Sequence, residues 1–462
     1  MAGGGHRFDP AILREYDIRG VVGEDLTAAD ARAVGRTLGT IVARSGGRSV
    51  AVAYDGRLTS PELESALVEG VTACGLIARR IGLGPTPAMY FATKVLDVDA
   101  GIMVTGSHNP PAHNGFKMNL GGRPFWGKDI QRLGEASARG DWIEGAGRAE
   151  DVDVMADYVA RLRAGFTGDR RLTVVWDPGN GAAGDVVADL VRHLPGRHVL
   201  LNEAIDGTFP AHHPDPTVEA NLTQLKAVVH EQGADLGVAF DGDGDRLGVV
   251  DSLGRVLWGD QILALLARDV LSRNPGAPVL ADVKASQVLF DEIARLGGSP
   301  VMCPTGHSII KARMAELGAP LAGEMSGHIF IADGYFGYDD GIYAAVRVLD
   351  MVAASGVSLA ELRDTLPAMV NTPEIRIDAD DARKFEIVEE VKARLADMAG
   401  RSVDDTDGVR VKTADGWWLL RASNTQSALV VRCEAGDDDA LSRLKAEIRE
   451  QMSLSGIAPP DF

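Results

Sequence analysis

Short apolar runs, each closed by a glycine-punctuated polar stretch, recur along most of this chain, with helical spacings between them. Ser49 to Tyr54 has the near-continuous apolar character of a buried strand, and Asp55-Gly56-Arg57 after it reads as a turn. Thr59-Ser60-Pro61-Glu62 predicts a helix start, with proline in the first turn and an acid near the positive end; the helix runs to about Arg80. Gly101 to Val104 is the next buried strand, and it breaks at Thr105-Gly106-Ser107-His108-Asn109-Pro110-Pro111. Two prolines remove backbone donors and fix φ, so neither a helix nor a central strand continues there. Asp151 to Phe166 carries Val152, Met155, Val159 and Leu162 at helical spacing. Leu172 to Trp176 opens a second strand–loop–helix unit, and Ala234 to Phe240 is an apolar strand ending in Asp241-Gly242-Asp243-Gly244-Asp245-Arg246. Pro320 to Ala322 runs in the same way into Gly323-Glu324-Met325-Ser326-Gly327-His328.

A strand ending in a polar loop thus repeats in three successive α/β units, and ligands of open α/β sheets sit beyond such strand ends. After Pro367 the pattern changes to a strand at Thr372 to Ile377 and a helix at Ala382 to Met398. A hairpin follows, from Val409 to Thr413 and Trp417 to Arg421 about Asp415-Gly416, then a strand at Ala428 to Arg432 and a helix at Asp437 to Met452. The expected architecture is α/β units over 1–150, 151–256 and 257–367, with a smaller α+β unit over 368–462. A chain of 462 residues exceeds what one core organises.

Composition narrows the classes. A formal net charge of −19 argues against nucleic acid, and no apolar run reaches membrane-spanning length. The N-terminal residues show no apolar signal core, and Cys74, Cys303 and Cys433 have neither zinc spacing nor a disulfide pattern, so a reducing cytoplasm is expected. An acidic chain can still bind an anion where its cations gather.

Ser107 sits on a tight loop past a strand end, where a rigid scaffold can present a reactive hydroxyl, and Lys117 brings a cation back toward it. A solvated turn is the competing account of such a loop. Asp241, Asp243 and Asp245 alternate with glycine, which lets the backbone aim several carboxylates at one hard cation such as Mg²⁺ or Ca²⁺. An EF-hand does not fit, because Arg246 takes its glycine position and Ser252 that of its bidentate glutamate. Glu324, Ser326 and His328 alternate, so on an extended segment they share a face suited to sugar hydroxyls. Arg421-Ala422-Ser423-Asn424-Thr425 lies between two strands and offers a phosphate cradle; Thr305-Gly306-His307-Ser308 and Lys284 are weaker cues of the same kind. Gly179-Asn180-Gly181-Ala182-Ala183-Gly184, followed by a helix to Leu194 and by Glu203, meets the formal dinucleotide fingerprint. That opens a second class, an NAD(P)-dependent oxidoreductase, although Asp177-Pro178 lengthen the turn and a glycine-eased helix start explains the run as well. A non-enzymatic metal-binding module is a third class, which leaves the serine loop without a purpose.

Taken in order, Tyr16-Asp17-Ile18-Arg19-Gly20, the Ser107 loop, the Asp241 to Arg246 loop, Gly323 to His328 and Arg421 to Thr425 resemble the α-D-phosphohexomutase family, in its bacterial phosphomannomutase/phosphoglucomutase branch, over nearly the whole chain. The resemblance implies three related α/β domains with mixed sheets and a mobile fourth domain around a central cleft. It implies that Ser107 is a phosphoserine and that Asp241, Asp243 and Asp245 hold Mg²⁺ with one of its oxygens. Glu324 and Ser326 would hold the sugar 3- and 4-hydroxyls. Arg421, Ser423, Asn424 and Thr425 would grip the phosphate that stays, with Tyr16, Lys284 and His307 lining the cleft. Lys117, His328 and Arg19 would serve proton transfer and charge stabilisation, and Arg246 would help to stabilise the moving phosphoryl group. The expected reaction interconverts hexose 1-phosphate and hexose 6-phosphate through a hexose 1,6-bisphosphate. Phosphoglucosamine mutase is the nearest alternative; that branch typically has Ser-Ala where this chain has Thr105-Gly106, and Met325 also fits the mannose/glucose branch better. Lysine acts as a base in this scheme only if its pKa is lowered.

Overall fold

The computed structural model describes residues 4–396, 398, 400–424, 426–459 and 462. In the first unit, Ala100–Val104 is buried between Ser49–Tyr54, which runs parallel to it, and His113–Leu120, which returns antiparallel. In the second, Leu236–Phe240 lies between the parallel Leu172–Asp177 and the antiparallel Leu247–Asp251. In the third, Leu321–Gly323 lies between the parallel Pro278–Asp282 and the antiparallel Ile329–Ile331. Each sheet is therefore mixed, and each turns from parallel to antiparallel at the same place, beside a fully buried apolar strand. The last unit is a wholly antiparallel sheet around Ala428–Ala435, with helices Arg383–Leu395 and Asp438–Leu454 packed on it.

One apolar core runs through the first three units. Met89 and Phe91 of helix Thr86–Val95, Val159 and Leu162 of Met155–Arg163, Trp176, Phe240, and Ile342 and Val346 of Gly341–Ser355 all belong to it. The last unit has its own core around Trp418, Leu420, Val431 and Ile448. It meets the third through a small patch of Val283, Trp417 and Leu419, and through the buried Arg410 and Arg432, which donate to the carbonyls of residues 283 to 285. No helix among the described residues is long and apolar enough to cross a membrane.

Several expected boundaries move. The helix from Ser60 stops at Thr72, because Gly75 takes a left-handed φ of +82° and frees Ile77–Leu83 to pair as a strand beside Ser49–Tyr54. The helix expected over Asp151 to Phe166 begins only at Met155, whose N–H is taken by the Asp153 carboxylate, and ends at Arg163; Arg148–Asp151 is an edge strand. The helix after the Gly179 loop spans only Gly184–Leu190. A Cβ at Gly184 would lie 2.0 Å from the Glu203 carbonyl oxygen, a backbone atom with no side-chain freedom to yield. Gly184→Ala is expected to lower stability by about 1–3 kcal/mol through overpacking. Urea unfolding measures this, and an unchanged midpoint would mean that the two loops separate freely.

Candidate functional site

The loops of Ser107, Asp241 and Glu324 leave these reversals, one in each α/β unit. Ser107 follows Ala100–Val104 and is buried, with φ at +49°, a strained value for a residue with a side chain. Its amide donates to Thr105 Oγ1 at 2.7 Å, and its hydroxyl donates to Asp241 Oδ2 at 2.8 Å, across the boundary between the first two units. The agent that holds this loop is Arg57, which the sequence presents only as part of a turn. Its guanidinium is fully buried and donates to the carbonyls of Ser107, Asn109 and Pro110 at 2.6 Å each and of His113 at 3.0 Å. Asp55 pairs with Arg57 at 3.2 Å and accepts from Thr105 Oγ1 at 2.8 Å and the Gly106 amide at 3.1 Å. Arg19 adds bonds to the Gly106 carbonyl and to Asn109 Oδ1. His108 Nδ1 lies 3.2 Å from Ser107 Oγ, and burial, with Arg246 and Arg19 nearby, pushes this histidine well below its ordinary pKa.

The carboxylates of Asp241, Asp243 and Asp245 converge with oxygens within 4.8 Å of one another, all buried. Lys117, on the returning strand of the first unit, donates to Asp243 Oδ2 at 2.8 Å and to Asp245. Burial works against its charge, but Asp243, Asp245 and Asp241 outweigh it and hold Lys117 above its ordinary pKa, not below it as a resting base requires. Burial also opposes ionisation of Asp243, yet Lys117 keeps it well below the carboxylate range. Asp241 is pushed well above that range by burial and by the other two acids. Lys117 and Arg246, whose Nε lies 4.0 Å from Asp241 Oδ2, thus leave three carboxylates short of positive charge. Asp243 Oδ1 and Asp245 Oδ1 are buried without a hydrogen-bond partner, and the donor set is all hard oxygen. These residues fit a divalent cation.

Arg246 crosses to the third unit, where its Nε–H donates to His328 Nε2 at 3.0 Å. The segment from Glu324 to His328 is not extended. The Glu324 amide donates to the His328 carbonyl at 2.8 Å and the Gly327 amide to that of Glu324 at 3.0 Å, with Gly327 at φ +89°. This tight turn, not strand alternation, brings Glu324 and His328 together; Ser326 is half-buried on it. Glu324 accepts from the Gly306 amide at 2.8 Å, beside His307. Tyr16 donates to the Thr305 carbonyl at 2.7 Å and accepts from Asn424 at 3.2 Å, and burial pushes its hydroxyl up to about 12. Lys284 is buried and pairs with Glu374 at 3.1 Å. Arg421 pairs with Asp407 at 3.0 Å, and Ser423 is buried with its Oγ accepting from the Gln426 amide at 3.2 Å. Thr425 lies outside the described residues.

The structure therefore links every one of the loops, from Ser107 through Asp241 and Arg246 to His328, and from Tyr16 to Asn424. The Gly179 loop stands behind this set. Five of its six amides are spent within the chain: Gly179 on Asp177, Asn180 on Asn202, Ala182 on the Gly242 carbonyl, and Gly181 and Gly184 on the loop itself. It braces the acidic loop and presents no cradle for a dinucleotide. Reading the sequence missed Arg57, Thr86, Asp339 and Asp407. Thr86 donates to Asp243 Oδ2 at 2.5 Å. The one available signal was the recurrence of an aspartate at strand ends, at Asp55, Asp177, Asp241 and Asp282.

A buried seryl hydroxyl set against a cation-seeking carboxylate trio, on three repeated α/β units closed by an α+β unit, is the makeup of an intramolecular phosphotransferase. Models of the phosphoglucomutase/phosphomannomutase alpha/beta/alpha domains I, II and III match residues 11–143, 156–254 and 258–370, and that of the C-terminal domain matches 374–451. The chain is 44% identical over 450 residues to a phosphomannomutase/phosphoglucomutase of Pseudomonas aeruginosa, covering 97% of each, and 39% identical over 437 residues to a phosphoglucomutase of Neisseria gonorrhoeae, covering 94% of this chain and 95% of the other. A crystal structure of a phosphoglucomutase/phosphomannomutase family protein from Burkholderia thailandensis superposes with a TM-score of 0.93 at 42% identity, over 97% of this chain and 98% of that one. The fold alone is shared with Aspergillus fumigatus N-acetylphosphoglucosamine mutase, solved with GlcNAc-6P and magnesium, at a TM-score of 0.64 and 16% identity over 97% of each chain. The chain belongs to the phosphoglucomutase/phosphomannomutase family and is a hexose-phosphate mutase.

Removing one member of the buried Arg57–Asp55 pair strands the other. Arg57→Ala is expected to cost about 3–5 kcal/mol in stability. Arg57→Lys keeps the charge but not the fork of donors, and is expected to fold with a lower kcat. Steady-state kinetics beside thermal unfolding checks both; a Lys variant with wild-type kcat would mean the loop holds its shape without Arg57.

Proposed function

We propose that this enzyme interconverts the 1- and 6-phosphates of mannose and of glucose through phosphorylated Ser107 and a hexose 1,6-bisphosphate. The observation that carries this is the Ser107 hydroxyl, 2.8 Å from a carboxylate of a trio whose charge is only partly balanced. In the forward step the Ser107 Oγ–P bond breaks as a bond forms from phosphorus to the free sugar hydroxyl, whose proton passes to the enzyme. The bisphosphate turns end for end, and its other phosphate returns to Ser107, with a proton given back.

The residues divide this work. Asp241, Asp243 and Asp245, with an oxygen of phosphorylated Ser107, would hold Mg²⁺, which when bound neutralises charge on the phosphoryl oxygens. Lys117, protonated between two aspartates, stabilises charge in the same place, with Arg246 and Arg19. Lys117 and His328, with Arg19 nearby, are the candidates for carrying the proton. Glu324 and Ser326 read the 3- and 4-hydroxyls, which keep their places when the sugar turns and leave carbon 2 unread. Arg421, Ser423, Asn424 and Thr425 grip the phosphate that stays, with Tyr16, Lys284 and His307 on the facing wall. Closure of the last unit excludes water that would hydrolyse the phosphoserine. The three cysteines are buried and unpaired, which suits the cytoplasm.

Ser107→Ala is expected to lower kcat by at least about 10³-fold, as loss of a covalent nucleophile does elsewhere. Intact-mass analysis of the active wild type should find one phosphate on Ser107; its absence under every condition would sink the covalent route. Asp243→Asn is expected to raise the Mg²⁺ concentration needed for half-maximal activity, and an unchanged Mg²⁺ titration would remove Asp243 from the metal site.

A further inference from the structure

Beneath the cleft, one carboxylate oxygen serves two imidazoles. Asp339 Oδ2 lies 3.3 Å from His307 Nδ1 and 3.3 Å from His328 Nδ1, and the two rings stack with centroids 5.3 Å apart and planes 20° from parallel. Asp339 is fully buried. Its other oxygen accepts from Lys311 at 2.7 Å, and Lys311, itself buried, also donates to the Tyr90 hydroxyl at 2.8 Å. Burial works against the charge on Asp339, but Lys311 and the two imidazoles hold it well below the usual carboxylate range. No other motif or contact already described accounts for this buried ion pair.

The proton positions follow from the partners. An ionised carboxylate only accepts, so its charge at 3.3 Å favours hydrogen on the ring nitrogens facing it, although neither contact has hydrogen-bond geometry. Arg246 donates to His328 Nε2 at 3.0 Å, which requires a lone pair there. The Arg246 bond therefore sets the form of His328, with the proton on Nδ1, and the carboxylates facing that nitrogen, Asp339 at 3.3 Å and Asp245 at 3.5 Å, favour the same form. Asp245, His328 and Asp339 have ligand spacing, but His328 in this form cannot complete a second metal site. An imidazole that accepts through Nε2 and is protonated on Nδ1 has no lone pair on Nδ1 to offer a metal.

We propose that Asp339 is a positioning residue. Acting through His307 and His328, it holds both rings in one stack and in the Nδ1–H form, with Lys311 balancing its charge. This rests on the roles given above to the two histidines. It extends them by naming the residue that fixes their orientation.

Two measurements on the full-length enzyme test it. Asp339→Asn is expected to lower kcat about 10- to 100-fold, as loss of a carboxylate that orients a metal-bound imidazole does, with little change in KM for glucose 1-phosphate. Added to the His307→Asn/His328→Asn variant, the same change should cost no further activity; a full additional loss there would overturn the proposal, since Asp339 would then act by another route. Long-range ¹⁵N–¹H NMR of histidine-labelled wild type, assigned with the single His variants, should show Nδ1–H for both rings. An Nε2–H spectrum for His328 would overturn the proposal even if Asp339→Asn fails to fold. If Ser107→Ala kept wild-type turnover, the reading of the site would fall, while the NMR result would still decide the case of Asp339.

Discussion

Three carboxylates packed against one another in a dry interior repel strongly, by about 4 kcal/mol for a pair 4 Å apart even at an effective dielectric constant near 20. A cation from another part of the chain is driven into the loop at Asp241 to Arg246 and offsets this repulsion. That cation is Lys117, delivered by the returning strand of the first unit. The ion pair therefore does two things. It welds the first unit to the second, and it keeps Ser107 and the acid trio in one place, since Lys117 and Ser107 leave the same pair of strands. The shortfall of positive charge that remains is what makes the trio receptive to a metal.

The same scaffold logic is used in each α/β unit. A fully buried strand between a parallel and an antiparallel neighbour cannot drift, and the turn that follows inherits its rigidity. Buried aspartates at strand ends then fix the turns: Asp55 ties down Thr105 and Gly106, Asp177 holds Gly179, and Asp282 accepts from the Met325 amide at 3.1 Å. Burial raises Asp282 to about 6, showing how little these carboxylates share with solvent. The last unit follows another plan, with its own core and a narrow junction to the third.

Much of this was legible in the residues. Alternating aspartate and glycine, prolines after Ser107, and apolar runs ending in polar loops each carry a local physical meaning, so element types and the principal loops could be read. What could not be read depends on partners distant in the chain. Arg57 looks like a turn residue until its guanidinium is seen to gather four carbonyls. Asp339 has no spacing signal, because the histidines it serves come from a helix start and a turn. The turn at Glu324 to His328 imitates strand alternation, and only the left-handed Gly327 betrays it. The Gly179 run satisfies a fingerprint whose meaning depends on free amides, and here five of the six are occupied.

The hydrogen bond between Tyr16 and Asn424 joins residues 408 positions apart. It closes a ring whose members are made in order along the ribosome. The serine loop emerges first and can meet its aspartate once the second unit is complete. The enclosure around the substrate exists only after the final sheet has been synthesised and has swung back to the beginning of the chain. A nascent or C-terminally truncated molecule thus holds the serine and aspartate loops without the wall that Asn424 completes.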